Sequence, residues 1–285
     1  MKKFVIGDCH GRYKALKEVL QKAKFNYEKD ILIVLGDIVD GGSNTAEVVN
    51  ELLKIKNVIF IIGNHEQMFI DYVFKGDNPS LWVNQGGANT LNSYGANVIP
   101  ATTINENPIM IDVKGMKIPN RHIKFFSEGL YYFEFEKKLF VHGGFNPKKP
   151  IQEQDPQQLI WDRSLIKYAD TNNIDNYEKI FIGHTSTQYI EREFINYKCR
   201  DCNHEWDDAI TKIPELDAEV ECETCNSKNI FQSIGCTKPL QIGNLVCLDT
   251  GAGWDGKLTI MNIDDNTEYY QSTLLEPAIK NEKFI

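Results

Sequence analysis

The chain has 285 residues, 42% of them hydrophobic and 25% charged, which suits a folded protein with a full core and excludes a disordered or fibrous chain. Its net charge of -9 and isoelectric point near 5.3 repel phosphate, arguing against broad binding to nucleic acid or anionic membrane. No apolar run approaches the roughly 20 residues that span a bilayer, and MKKFVIGDCHG has too few apolar residues before Asp8 for a secretion signal, so a cytoplasmic protein is expected.

In chain order, the first predicted strand is KFVIGDCHG at 3–11, an apolar run that ends in Asp8 and His10. A helix-like stretch, RYKALKEVLQKAKF, follows, with apolar positions three and four apart. ILIVLGDIVDGG at 31–42 repeats the design and ends in Asp37 and Asp40; TAEVVNELLKIK repeats the helix. VIFIIGNHE at 58–66 is the third such strand and runs straight into Asn64, His65 and Glu66. Glu66 reads as the start of the next helix, EQMFIDYVFKG, where a negative side chain suits the helix dipole. NQGGANTLNSYG is rich in turn formers and reads as a loop. IMIDVKG and YYFEFEKKLFV nearly alternate, which predicts antiparallel pairs. KLFVHGG at 138–144, KIFIGHT at 179–185 and LVCLDTGA at 245–252 return to the apolar-then-polar form. Strands alternating with helices imply parallel pairing, with functional loops gathered beyond the carboxyl ends of the strands. The fold class expected is α/β, a mixed-sheet sandwich.

Hard divalent cations favour carboxylate, imidazole and amide donors, and two adjacent cations need an anionic bridge. Asp8 and His10 are two apart in an extended segment and can face one way. Asp37 is the natural bridging carboxylate, and Asn64, His142 and His184 can complete a second site. Six ligands thus come from five strand ends. His122 and His204 fall in no such block; His122 is expected at the surface, and His204 there or as a minor ligand. Cys9, inside the first block, reads as a small packed residue or an oxidation-sensitive neighbour of the metals.

GDCHG, GDIVDGG, GNHE, HGG and GHT, in this order, resemble the signature blocks of the calcineurin-like metallophosphoesterases, and specifically the phosphoprotein phosphatase branch with its bacterial and phage members. The likeness extends to WVNQGGANTLNSYG, LIWDR and LDTGA. It implies the αββα sandwich of that family and two divalent metal ions, manganese first among Mn, Fe, Zn, Ni and Co. Asp8, His10 and Asp37 would hold one ion; Asp37, Asn64, His142 and His184 would hold the other. A hydroxide shared by the cations would attack phosphorus. His65 matches the general acid, Asp40 the carboxylate that orients it, and Arg163 one of two arginines that grip phosphate, with Asn64 beside it. The second arginine belongs where this chain has Gly41, and Arg12 is the nearest replacement.

Residues 197–236 break the pattern. They carry four basic and nine acidic residues and two Cys-x-x-Cys pairs, Cys199 with Cys202 and Cys222 with Cys225. That spacing predicts a zinc ribbon with one structural Zn, a lid or protein-docking module whose charge disfavours nucleic acid. The domains expected are 1–196 with 237–285 as the catalytic part and 197–236 as the insert.

Three functions compete. The leading reading is hydrolysis of phosphoserine or phosphothreonine in proteins, or of a small phosphoester. The second is a diadenosine polyphosphate or nucleotide hydrolase of the same fold. The third, motivated by Gly41, is a metal-stabilised phosphate-binding module with little turnover.

Overall fold

The structure is a computed structural model that describes residues 1–76, 80–101, 106–191, 194–209, 220–265 and 267–276. The first three predicted strands form β1 (Lys3–Ile6), β2 (Ile31–Val34) and β3 (Asn57–Phe60), separated by helices α1 (Tyr13–Lys22) and α2 (Thr45–Leu52) and followed by α3 (Asn64–Lys75). Next come a small antiparallel pair, β4 (Asn97–Ile99) and β5 (Met110–Asp112), and the hairpin β6 (Tyr132–Phe135) with β7 (Lys138–Val141). β8 (Lys179–Ile182) precedes β9 (Phe194–Cys199), β10 (Glu205–Ala209) and β11 (Ile230–Ile234), which form a separate three-stranded sheet in the order β10-β9-β11, the cysteine sheet, since the paired cysteines lie at the end of β9 and in the turns beside it. The chain ends in β12 (Leu240–Ile242), β13 (Leu245–Cys247), β14 (Thr259–Asn262) and β15 (Tyr269–Gln271).

One sheet runs β15-β14-β1-β2-β3 and another β12-β13-β8-β7-β6. Within the first, β1, β2 and β3 are parallel; within the second, β7, β8 and β13 are. These are the six strands that the sequence singles out. Their alternation builds three layers of core, because successive side chains leave a strand on opposite faces. Val5, Ile33, Phe140, Phe181 and Val246 meet between the sheets, with the Phe140 and Phe181 rings stacked 5.0 Å apart. Phe4, Ile6, Leu32 and Val34 face outward onto Leu16, Val19, Val48 and Leu52 of α1 and α2. Leu139, Val141, Ile180 and Ile182 face the other way onto Leu159 and Leu165. Each fully buried aliphatic or phenyl group contributes about 1.5–3 kcal/mol relative to exposure. The result is the expected αββα sandwich.

Three details differ from the sequence expectation. β3 is an edge strand, so Asn57, Val58 and Ile59 are only half-buried. The stretch read as a loop holds a helix, Ala88–Ser93, because Trp82, Ala88 and Leu91 are buried and Gly87 lies flat on the Trp82 indole. His122, expected at the surface, is fully buried, with its ring 3.1 Å from both Tyr94 Oη and Asn50 Oδ1. Among the described residues no helix is long and apolar enough to cross a membrane. Residues 210–219 of the expected insert lie outside the described residues.

Candidate active site

The site begins where the parallel strands stop. The β1 and β2 loops are laced together, with the Cys9 and His10 amides donating to the Asp37 carbonyl at 3.0 and 2.8 Å. His10, Asp37, Asp40 and His184 all adopt positive φ, 46°, 48°, 66° and 63°. Such conformations cost about 1–3 kcal/mol each in non-glycine residues and persist only where the surroundings enforce them. Two glycines permit the close packing: a Cβ on Gly63 would overlap Asp37 Oδ1, and one on Gly183 would overlap Asp8 Oδ1.

Asp37 stands at the centre. His142 turns Nδ1 to the Leu35 carbonyl at 2.7 Å, while its Nε2 faces Asn64 Oδ1 at 3.0 Å and Asp37 Oδ2 at 3.3 Å. His10 repeats the arrangement, with Nδ1 3.1 Å from the Val39 carbonyl and Nε2 3.8 Å from Asp37 Oδ2. A carbonyl only accepts, so each Nδ1 carries the hydrogen and a neutral ring offers a lone pair at Nε2. At His10 the neutral ring turns that lone pair towards carboxylate oxygen; at His142 the Asp37 carboxylate raises the ring's pKa against burial, and a cation at Nε2 would take the place of that proton. Two compact groups result, Asp37 with His142 and His184 and Asp37 with His10 and His65, the candidate ligand atoms in each lying within 4.8 Å of one another.

Asp8 lies beside the first of these groups. Its Oδ2 accepts the His184 amide at 3.0 Å, and its buried Oδ1 has no hydrogen-bond partner among the described residues. Burial, reinforced by Asp249 and Asp37, pushes the Asp8 carboxyl well above the usual range. Burial likewise raises Asp249 to about 6. Asp37 goes the other way: burial opposes ionisation, but the imidazoles of His142, His65 and His10 outweigh it. Burial and neighbouring imidazoles hold His10 down to about 4 and His184 to about 2, so both rings are neutral near pH 7, as metal ligation requires. An unpartnered carboxylate oxygen, neutral imidazoles and an amide oxygen fit one or two divalent cations.

His65 opens α3 and faces the same centre, with Nε2 4.0 Å from Asp37 Oδ2. Its Nδ1 is 2.6 Å from Asp40 Oδ2, which also accepts the Trp82 indole N–H at 2.7 Å, while Thr90 Oγ1 donates to Asp40 Oδ1 at 2.7 Å. Burial disfavours the imidazolium, yet Asp37 and Asp40 overcome it and raise His65 to about 9. Sequence reasoning missed Trp82 and Thr90; their signal lay in WVNQGGANTLNSYG, named as part of the family likeness, of which it read the part from Asn84 as a loop. Glu66 does more than start a helix. Fully buried, it accepts backbone N–H groups from Asp37 at 2.7 Å, Ile38 at 2.8 Å, Val39 at 3.2 Å and Gly63 at 2.8 Å. Asp249, close enough to raise Asp8, was the other omission.

Arg163 donates through Nη1 to the His184 carbonyl at 2.9 Å and to Thr185 Oγ1 at 2.8 Å, leaving the rest of its guanidinium for a ligand. Gly41 has φ +67°, and a Cβ there would lie 3.1 Å from His10 Cβ, a strained and crowded place for a longer side chain. Arg12 points elsewhere, donating to the Ala252 carbonyl at 3.1 Å and the Trp254 carbonyl at 3.2 Å. Cys9 is buried, and burial pushes its thiol up to about 12, the state of a packed rather than a reactive cysteine.

At the far end of β9 the four expected cysteines meet. Cys199 Sγ lies 3.5 Å from Cys225 Sγ, and Cys202 Sγ 3.5 Å from Cys222 Sγ. The Asn203 amide closes the first knuckle on the Cys199 carbonyl at 2.9 Å, and Asn226 closes the second on Cys222 at 2.7 Å, both with φ near +60°. Four sulfurs in such a cluster fit a tetrahedral Zn site. His204 is outside it, stacked on Trp206 at 5.4 Å.

A family model described as calcineurin-like phosphoesterase matches residues 1–221. The chain is 36% identical to Serine/threonine-protein phosphatase 2 of Salmonella typhimurium over 84 residues, 30% of this chain and 38% of that one. It is 37% identical to the symmetrical bis(5'-nucleosyl)-tetraphosphatase of Wigglesworthia glossinidia brevipalpis over 67 residues, 23% of this chain and 25% of that one. The matches thus span well under half the length of these relatives. A solved structure provisionally described as a diadenosine tetraphosphatase aligns over 96% of this chain and 94% of its own, with a TM-score of 0.58 and 12% identity, a likeness of fold alone. With the family model covering β1 to β10 and the loops that carry Asp8, His10, Asp37, Asn64, His142 and His184, the chain belongs to the calcineurin-like phosphoesterases, a hydrolase family.

Proposed function

We propose that the protein is a dinuclear-metal phosphoesterase that hydrolyses phosphoserine and phosphothreonine in proteins. The observation that carries this reading is the His65–Asp40 pair aimed at the Asp37 cluster. Asp8, His10 and Asp37 would hold one ion, manganese being the first choice, and Asp37, Asn64, His142 and His184 the other. Bound there, divalent cations supply Lewis acidity to the phosphoryl oxygens and lower the pKa of water. The chain's own residues do the rest. His65, protonated by its contact with Asp40, keeps Nδ1–H on that carboxylate and presents Nε2–H to the leaving alkoxide. Asn64 turns Oδ1 to His142, which frees its amide N–H groups for a phosphoryl oxygen. Arg163 grips the phosphate with the guanidinium N–H groups that His184 and Thr185 leave unused. Residues 197–236 we take as a zinc-ribbon insert in a catalytic domain of 1–196 and 237–285. A four-thiolate metal site would suit a reducing, cytoplasmic setting.

The test is hydrolysis of para-nitrophenyl phosphate and a phosphothreonine peptide by manganese-loaded protein. His65→Ala is expected to lower kcat by about 10²–10⁴. Metal-loaded protein that hydrolyses neither substrate would refute the reading. The similarity to a symmetrical tetraphosphatase favours a second substrate class, dinucleoside polyphosphates. A faster rate on diadenosine tetraphosphate than on the peptide would select it.

A further inference from the structure

Gln188 stands four residues after His184, buried in a short turn of helix, Thr187–Ile190. Its Nε2 donates to Ser233 Oγ at 2.9 Å and the Ile234 carbonyl at 3.3 Å, both on β11, and to Asp255 Oδ1 at 3.0 Å. Its Oε1 rests against Gly251, φ +89°, where a Cβ would overlap it. One amide therefore ties the cysteine sheet to the loop 250–256. That loop is closed on itself, the Gly256 amide donating to the Gly251 carbonyl at 2.9 Å and the Lys257 amide to the Thr250 carbonyl at 2.8 Å. Its tip is the wall against the expected ligand His10, since a Cβ on Gly253 would come within 2.7 Å of His10 Cδ2. A second tie comes from β10, where Glu205 accepts Lys257 Nζ at 2.8 Å and the Leu274 amide at 2.6 Å.

We infer that the cysteine sheet is a brace for the 250–256 loop, with Gln188 as the positioning residue that carries the brace to His10. The physical basis is that a short module with few apolar groups owes its order to the metal held by Cys199, Cys202, Cys222 and Cys225. Without that metal, β10 and β11 loosen, Gln188 loses Ser233 and with it the fixed pose that holds Asp255, and Lys257 loses Glu205, while Arg12 still holds Ala252 and Trp254. Metal loading at the thiols thereby sets the geometry at His10. The effect on turnover rests on the proposed phosphoesterase reading; the mechanical coupling does not.

Hydrogen exchange on the full-length protein tests the coupling, comparing wild type, Gln188→Met and a Cys199→Ser/Cys202→Ser variant whose zinc content is measured. Exchange in peptides covering 250–257 is expected to rise about tenfold in both variants, the scale of one lost hydrogen bond, with β1–β3 peptides unchanged. The manganese concentration for half-maximal hydrolysis of para-nitrophenyl phosphate should also rise about tenfold, while kcat at saturating manganese stays within about twofold. Unchanged exchange at 250–257 in folded Gln188→Met overturns the brace, as does a zinc-free cysteine variant with a protected loop. If the wild type is inactive, the phosphoesterase reading fails and the exchange data still decide the brace. If the cysteine variant does not fold, Gln188→Met decides alone.

Discussion

Glu66 shows how a single buried carboxylate can organise an active site without facing the substrate. Its two oxygens accept four backbone N–H groups, three from the β2 loop at Asp37, Ile38 and Val39 and one from Gly63 at its own helix start. Burial and the nearby Asp37 charge raise its pKa to about 7, opposed by those N–H groups. In Glu66→Gln one acceptor becomes an NH₂ group that meets N–H donors head-on. Hydrogen bonds to charged groups are worth about 1.5–3 kcal/mol each and do not add, so we expect a loss of about 2–4 kcal/mol in stability. A urea titration measures it, and an unchanged midpoint would show that the carboxylate is dispensable. Because Asp37 sits on the displaced backbone, bound metal per chain should fall as well.

At the scale of elements, the helical layer over the first sheet is pinned by Glu51 of α2. Its side chain, only 1% exposed, pairs with Lys17 of α1 at 3.1 Å and Lys54 at 2.6 Å and accepts the Tyr27 hydroxyl at 2.7 Å. Burial alone would raise this carboxyl, but the bonds from Lys54, Tyr27 and Lys17 hold it down to about 2, against an ordinary 4.5. A depressed folded-state value adds stability above pH 4.5 that disappears as pH falls towards 2. Both lysines are half-exposed and screened, so Glu51→Gln should cost about 1–2 kcal/mol near neutral pH. Measured by denaturant unfolding, the gap between wild type and variant should narrow steadily below pH 4.5; a gap that stays constant into acid would remove the ionic explanation. The order of strands and helices was legible because apolar residues repeat at two or at three and four. The edge position of β3, the helix at Ala88–Ser93 and the buried His122 were not, since each depends on neighbours remote in sequence.

For the whole molecule, the two-sheet sandwich brings five separated strand ends to one cluster, and that much could be read from apolar runs ending in ligand-type residues. What could not be read is the supporting set: Trp82 and Thr90 on Asp40, Glu66 under Asp37, and Asp249 beside Asp8. Each lies in a block that the sequence marks, WVNQGGANT, GNHE or LDTGA, but what its side chain holds comes from packing rather than from spacing. The cluster gathers Asp8, Asp37, Glu66 and Asp249, all buried. Folding therefore brings together like charges that a bound cation would offset, so metal would bind the folded state in preference to the unfolded chain. By linkage, a site filled at about 100 times its Kd adds about 2.7 kcal/mol. For a chain of 285 residues, at about 2.1 cal/mol/K of unfolding entropy per residue, that corresponds to a Tm shift of roughly 4–5 °C for each filled site. Stripping the protein with a chelator should lower Tm by that amount, and adding manganese alone should restore the part due to the Asp37 centre. The thiol cluster, with softer sulfur donors, should recover only with zinc. Two separable recoveries are thus expected in one melting series, and a Tm indifferent to chelation would mean that neither cluster holds metal.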